Sequence, residues 1–179
     1  MVVRLGAALC VVGMMFICSS SSVIKSSVAM QAAFGTAVIE REQNKLNAAV
    51  SGVTILGTAS TYNPYRPGYR SGGAETASGE PYDPDGWTAA IQIDLREMFG
   101  GIRYGKDYRP SYALVAKANR QVIVKINDVG PLERGRIIDF NEQTMRYFDP
   151  SLELGLIYPI EVKPLLGDDW SPGPIANNN

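Results

Sequence analysis

The stretch VIVKINDVGPLERGRIID (Val122–Asp139) carries a strand, a turn and two acids in one run. Val122, Val124 and Ile126 alternate with Ile123 and Lys125. One face is clearly apolar and the other mixed, which is the period-two signature of a strand in a sheet. Asp128 follows the strand and precedes Gly130-Pro131, so a carboxylate is displayed from a constrained turn. Just upstream, Tyr112–Lys117 forms a matching strand, and Ala118-Asn119-Arg120 between the two is a hairpin turn.

Outward from this hairpin, Val53–Tyr62 is another candidate strand and Leu156–Lys163 the last one. Ile91–Pro110 is expected to form a short helix plus a loop. Asp139 or Asn141 can cap a helix running to Phe148, with Glu142 three residues after Asp139 as in a capping box. Asp149-Pro150 stops that helix. Several short strands, strong turn signals, one short helix and no βαβ alternation predict a mainly β chain folded as a small closed or nearly closed barrel over residues 53–165.

The ends have a different texture. Arg4 precedes an apolar run from Leu5 to Cys18 and then a serine-rich tract, the layout of a secretory signal. Residues 1–29 are therefore expected to be a signal peptide with cleavage after Ala29. A site nearer Ser20, or an uncleaved membrane anchor, is the alternative. Both cysteines, Cys10 and Cys18, lie in this segment; Cys18 is a second-choice lipidation site because Ile17 before it is bulky. Residues 30–52 are expected to be a helical or flexible spacer, and residues 166–179, rich in Pro, Gly and Asn, a disordered tail.

The chain contains no histidine, which excludes Ser-His-Asp and Cys-His nucleophilic schemes and argues against a zinc site. No metal or other cofactor is expected. With 17 Lys and Arg against 18 Asp and Glu, there is no basic excess to attract nucleic acid. Any chemistry falls to carboxylates, hydroxyls and backbone amides.

Two carboxylates stand out. Glu80 lies in Ser78-Gly79-Glu80-Pro81, where Gly79 permits unusual backbone geometry and Pro81 stiffens the next step. The bland alternative is an exposed loop acid. Asp128, at a strand end with buried neighbours, suits a carboxyl with a raised pKa, as a general acid requires; ordinary turn chemistry explains it equally well. Asp139 is read first as a helix cap. Arg136 either holds an anionic group or is solvated. Tyr62, Tyr65, Tyr69, Tyr82 and Trp87 give the first half an aromatic character suited to stacking on sugars, with core packing the default for each. Tyr62, Tyr82, Arg136 and Asp139 are the candidate substrate-binding residues.

Taken in order, GTASTY (Gly57–Tyr62), TASGEPYD (Thr76–Asp83), WTAA (Trp87–Ala90) and VIVKINDVGPLERGRIIDF (Val122–Phe140) resemble the rare lipoprotein A family. The likeness spans about Gly57 to Val162. It implies a six-stranded double-psi β-barrel with one or two short helices, in a bacterial envelope or periplasmic protein. It also implies a lytic transglycosylase acting on peptidoglycan glycan strands, preferably strands without stem peptides. On that resemblance Glu80 and Asp128 match the family's acids and are the candidate catalytic residues. Two positions depart from the pattern: Ile91 stands where the family has histidine, and Val129 where arginine is usual. The competing expectation is an expansin-like barrel that binds or loosens glycan without turnover. A monomer is expected, with recruitment by division or envelope proteins as a weaker possibility and membrane association through the N-terminus.

Overall fold

The computed structural model describes residues 20–49, 52–66, 74–101 and 107–175. The chain divides into two compact units, Met1–Lys45 and Leu46–Asn179.

In the first unit the described residues belong to one helix, α1 (Ser20–Ala49). From Met30 onward the run is rich in Ala, Gln and Glu, and the whole helix has no proline, which favours this conformation. The helix passes through Ala29, where cleavage was expected, and through most of the expected spacer. Met30, Phe34 and Val38 are exposed along it. No helix among the described residues is long and apolar enough to cross a membrane. The run Leu5–Cys18, on which the export and lipidation expectations rest, lies outside the described residues.

The second unit is mainly β. Its strands are β1 (Ile55–Thr61), β2 (Thr88–Gln92), β3 (Ser111–Lys117), β4 (Arg120–Gly130), β5 (Arg136–Phe140), β6 (Leu156–Leu165) and β7 (Gly173–Pro174). A 3-10 helix (Ile93–Phe99) follows β2, and α2 (Glu142–Phe148) follows β5. Six strands close in the order β2-β5-β1-β6-β3-β4, with β4 returning to β2. The β1–β5 and β2–β4 pairs are parallel and the other four antiparallel. Closure leaves no free edge among these six strands. Val122, Val124 and Ile126 are fully buried, so the apolar face read from the sequence is the face that fills the barrel.

The structure differs from the sequence reading in four places. Arg136–Phe140, read as part of a turn block, is a central strand paired with both β1 and β2. Asp139 therefore lies in β5 and caps nothing; the cap of α2 is Asn141, whose side chain accepts from the Thr144 amide at 3.0 Å. Ile91 and Gln92, placed at the start of a helical insertion, end strand β2. Finally, the tail expected to be disordered contributes β7, which pairs with Val122 and Ile123 of β4. Trp170 and Ile175 pack there against buried Ile123 and Leu165, so apolar burial orders a segment whose composition alone reads as disordered.

Candidate active site

Two bulges shape the outer face of the barrel. In the β2–β4 ladder Ala89 pairs with Ile126 but Ala90 pairs with Asp128, so Asn127 is an extra residue. In the β1–β5 ladder Thr58 pairs with Arg136 but Ala59 pairs with Ile138, so Ile137 is extra. A bulge shifts the alternation by one residue and re-aims every side chain after it. Without the first bulge Asp128 would follow Ile126 by two positions into the core. With it, Asp128 stands beside Ala90 on the outside, and Asp139 stands beside Ala90 on its other flank. Ser60 continues the row as the partner of Asp139.

The loop before β2 closes over this row. Glu75 and Pro81 form an isolated bridge, the Thr76 amide donates to the Glu80 carbonyl at 2.8 Å, and Gly79 adopts φ +83°. That positive φ is why glycine is needed at this position. Ser78 N donates to Asn127 O at 3.0 Å, and Ala77 N to Asp128 Oδ1 at 2.9 Å. The loop is thereby fastened to the bulge itself. Its acid, Glu80, points back to β4: Oε1 lies 2.5 Å from Lys125 Nζ, and Oε2 accepts from Asn127 Nδ2 at 3.4 Å. Glu80 and Asp128 are thus brought to one junction between loop and strand.

Their protonation tendencies diverge. Burial pushes the Asp128 carboxyl above the ordinary aspartate range, and the Ala77 and Val129 amides and the Tyr62 hydroxyl offset only part of that. Both amides bind the same oxygen, Oδ1, at 2.9 Å, which fixes the carboxyl and leaves Oδ2 outside the pair. Burial also raises Asp139; Ser60 and Arg136 oppose the rise, while the nearby charges of Asp128 and Glu133 add to it. Asp139 Oδ1 is buried without a hydrogen-bond partner among the described residues. For Glu80 the desolvation is outweighed by Lys125, Asn127 and Ser78 together, and its carboxyl is held below the usual range. A carboxyl shifted toward its acid form beside one shifted toward its ionised form is an arrangement able to donate a proton next to a negative charge.

The other candidates are placed as follows. Tyr62 and Tyr82 are only 8% and 4% exposed, so neither can offer a ring face to a sugar. They stack edge to face with centroids 5.0 Å apart, and Tyr82 donates to the Tyr62 carbonyl at 2.8 Å while accepting from the Glu142 amide. Together with Ala90 they form the apolar support under the carboxylates. The exposed ring of this group is Tyr65, 58% accessible and 5.8 Å from Tyr82; Tyr69 lies outside the described residues. Arg136 is paired with Glu133 at 2.7 Å and faces Asp139 electrostatically. Sequence reasoning missed Lys125, Asn127 and Ser60. The signal for Lys125 was present, as the charged residue within the alternating run Val122–Ile126.

A family model described as lytic transglycolase matches residues 55–157, more than half of the chain. The chain belongs to this family of double-psi β-barrels. No curated protein matches the sequence. Among solved structures, the Streptomyces papain inhibitor is similar at 19% identity and TM-score 0.46, over 64% of this chain and 96% of that one. An expansin from Clavibacter michiganensis is similar at 18% identity and TM-score 0.46, over 66% of this chain; the match spans about half of the expansin, 52% of its length.

Within the family pattern, Glu80 and Asp128 meet at the loop–strand junction, whereas Ile91 does not reach it. Ile91 is fully buried in the barrel core, and the β2 residue paired with Asp128 and Asp139 is Ala90.

Proposed function

We propose that the protein is an exported lytic transglycosylase of the cell envelope that cleaves peptidoglycan glycan strands, preferably strands lacking stem peptides, to 1,6-anhydromuramic products. The observation that carries this reading is Asp128: a carboxyl with its pKa raised by burial and one oxygen fixed by two main-chain amides, in a chain of this family. The acid form of Asp128 donates its proton to the bridging oxygen as the C1–O bond breaks. The muramic 6-hydroxyl then attacks C1, and its proton passes to the Asp128 carboxylate, which regenerates the acid. Atoms balance without water or cofactor. Glu80, held as an anion, stabilises positive charge developing at C1. A histidine is not needed for either proton transfer.

A second reading, a barrel that binds glycan without turnover, is favoured by one observation: the family's histidine position is occupied by Ile91 and sealed in the core. Mass spectrometry of glycan strands without stem peptides, incubated with the parent and with Asp128→Asn, separates the two. Anhydromuramic products from the parent alone support the transglycosylase. Strand binding with no product from either supports the binding barrel and removes the enzyme.

A further inference from the structure

Lys125 has no part in the proton transfers above, yet it is built into the same junction. Its Nζ lies 2.5 Å from Glu80 Oε1, and its side chain is 22% exposed against 46% for Glu80. The same Nζ lies over the Tyr108 ring, 5.9 Å from its centroid. Tyr108 is itself fixed, because its hydroxyl donates to the Ile126 carbonyl at 2.5 Å. The ammonium is therefore confined between a carboxylate and an aromatic face, with its stem on a strand of the closed barrel. The second oxygen of Glu80 is met by Asn127, the bulged residue.

We propose that Lys125 is a positioning residue that, clamped between Glu80 and Tyr108, fixes Glu80 as an oriented anion beside Asp128 and so leaves proton transfer to Asp128 alone. The inference rests on the transglycosylase reading and assigns a further residue to that site. Three observations favour positioning over stability. With Glu80 46% exposed, the part-buried pair contributes only about 1 kcal/mol to folding, so holding the fold together is a poor explanation for it. Both oxygens of Glu80 are engaged from β4, which sets the carboxylate plane and not merely its charge. Among the described residues, the ionisable groups facing Glu80 are Lys125 and Tyr108, whose own ionisation is disfavoured by burial and by Glu80; Glu75 lies beside Gly79 in the same loop. Lys125 is the cation of that set.

The test uses the full chain with Lys125→Met and Lys125→Arg. Two quantities are followed: anhydromuramic product formation against pH, and the carbon-13 NMR titration of the Glu80 carboxyl, assigned with Glu80→Gln. In Lys125→Met the expected turnover is lower by roughly tenfold to a hundredfold at unchanged KM, and the Glu80 carboxyl titrates at higher pH. Lys125→Arg restores both in large part. Lys125→Gln, uncharged but similar in length, decides the same question if the methionine variant does not fold. Turnover and pH profile equal to the parent in the uncharged variant, or an unmoved Glu80 titration, overturn the proposal. A parent that makes no product overturns the transglycosylase reading instead, while the Glu80 titration still decides whether Lys125 holds that carboxylate.

Discussion

Ile91 and Val129 face each other in the parallel register between β2 and β4, and both are buried in the barrel core. These are the two positions at which the chain departs from the pattern of the family it resembles, histidine at one and arginine at the other. Their adjacency makes the two departures one packing change. A polar side chain at either position alone would face a buried apolar neighbour, which is costly. The apolar pair instead extends the core around Ala89, Ile126 and Ile138, while the acids stay on the opposite face with Ala90.

Restoring the histidine should therefore not restore a function. Ile91→His is expected to destabilise the barrel by about 2–4 kcal/mol, the cost of a buried polar group without partners plus lost packing. Ile91→Val should cost only about 0.5–1.5 kcal/mol. Urea unfolding measures both. The rate of product formation in the histidine variant should not exceed the parent's. A stable, faster histidine variant would show that position 91 reaches the carboxylates after all.

Asp128 predicts a pH dependence with a definite sign. Its pKa in the fold is raised above the ordinary value of 3.8 by burial. The folded chain thus binds this proton more tightly than the unfolded chain does. Stability from this group is fully present below the unfolded value and lost as pH rises through the folded one. Asp128→Asn removes that loss. The stability difference between variant and parent should move in the variant's favour as pH rises from 3.8 through the folded value, measured by denaturation at several pH values. Activity needs the acid form and should decline over the same rise. A difference that stays flat with pH would mean that the Ala77 and Val129 amides fully compensate the burial.

How far the sequence disclosed this site depends on the element. β3 and β4 were legible because Val122, Val124 and Ile126 keep strict alternation up to the bulge. β5 was not, because the bulge at Ile137 sets two β-branched residues side by side and breaks the period on which strand recognition rests. The same irregularity hid the true place of Asp139, which local spacing assigns to a helix cap. Glu80 and Asp128 were found from turn chemistry and family likeness. Their link through Lys125 and Asn127 depends on a contact between residues 45 and 47 positions apart, which no local pattern contains. Tyr62 and Tyr82 were candidates for stacking on sugars with core packing as the default, and aromatic content alone does not choose between the two; burial in the packed trio with Ala90 realises the default.

The loop that follows β1 is held by one acid. Glu142 accepts from Asn63 Nδ2 at 2.9 Å and Arg66 Nε at 2.8 Å, and pairs with Arg146 at 3.3 Å. The Asn63 bond, with the Arg66 bond and charge, keeps its carboxyl below the ordinary value of 4.5 despite some desolvation. Its stabilisation is present above the unfolded value and lost as pH falls through the folded one. Because Arg66 is half exposed, Glu142→Gln should cost only about 1 kcal/mol at neutral pH. The sharper readout is local: the Tyr65 amide, bonded to Asn63 Oδ1 at 2.8 Å, should exchange with solvent faster in the variant. Unchanged exchange there would separate Glu142 from the order of this loop.

Gly57 tests the second bulge directly. A Cβ built at this position would stand 2.5 Å from Cγ2 of Ile137, the bulged residue of β5. That separation is far inside van der Waals contact, and a γ-methyl on a β-branched side chain has little freedom to withdraw. Gly57→Ala should therefore destabilise the barrel by about 1–3 kcal/mol through overpacking. Ile137→Ala removes the obstructing methyl and should carry its own loss of packing. In the double variant the two costs should fall short of their sum, because the alanine at 57 then meets no obstruction. A thermodynamic cycle from four urea curves gives the coupling. Simple additivity would show that β5 shifts as a body to admit the extra methyl, and that the bulge placing Asp139 beside Ala90 is softer than its packing suggests.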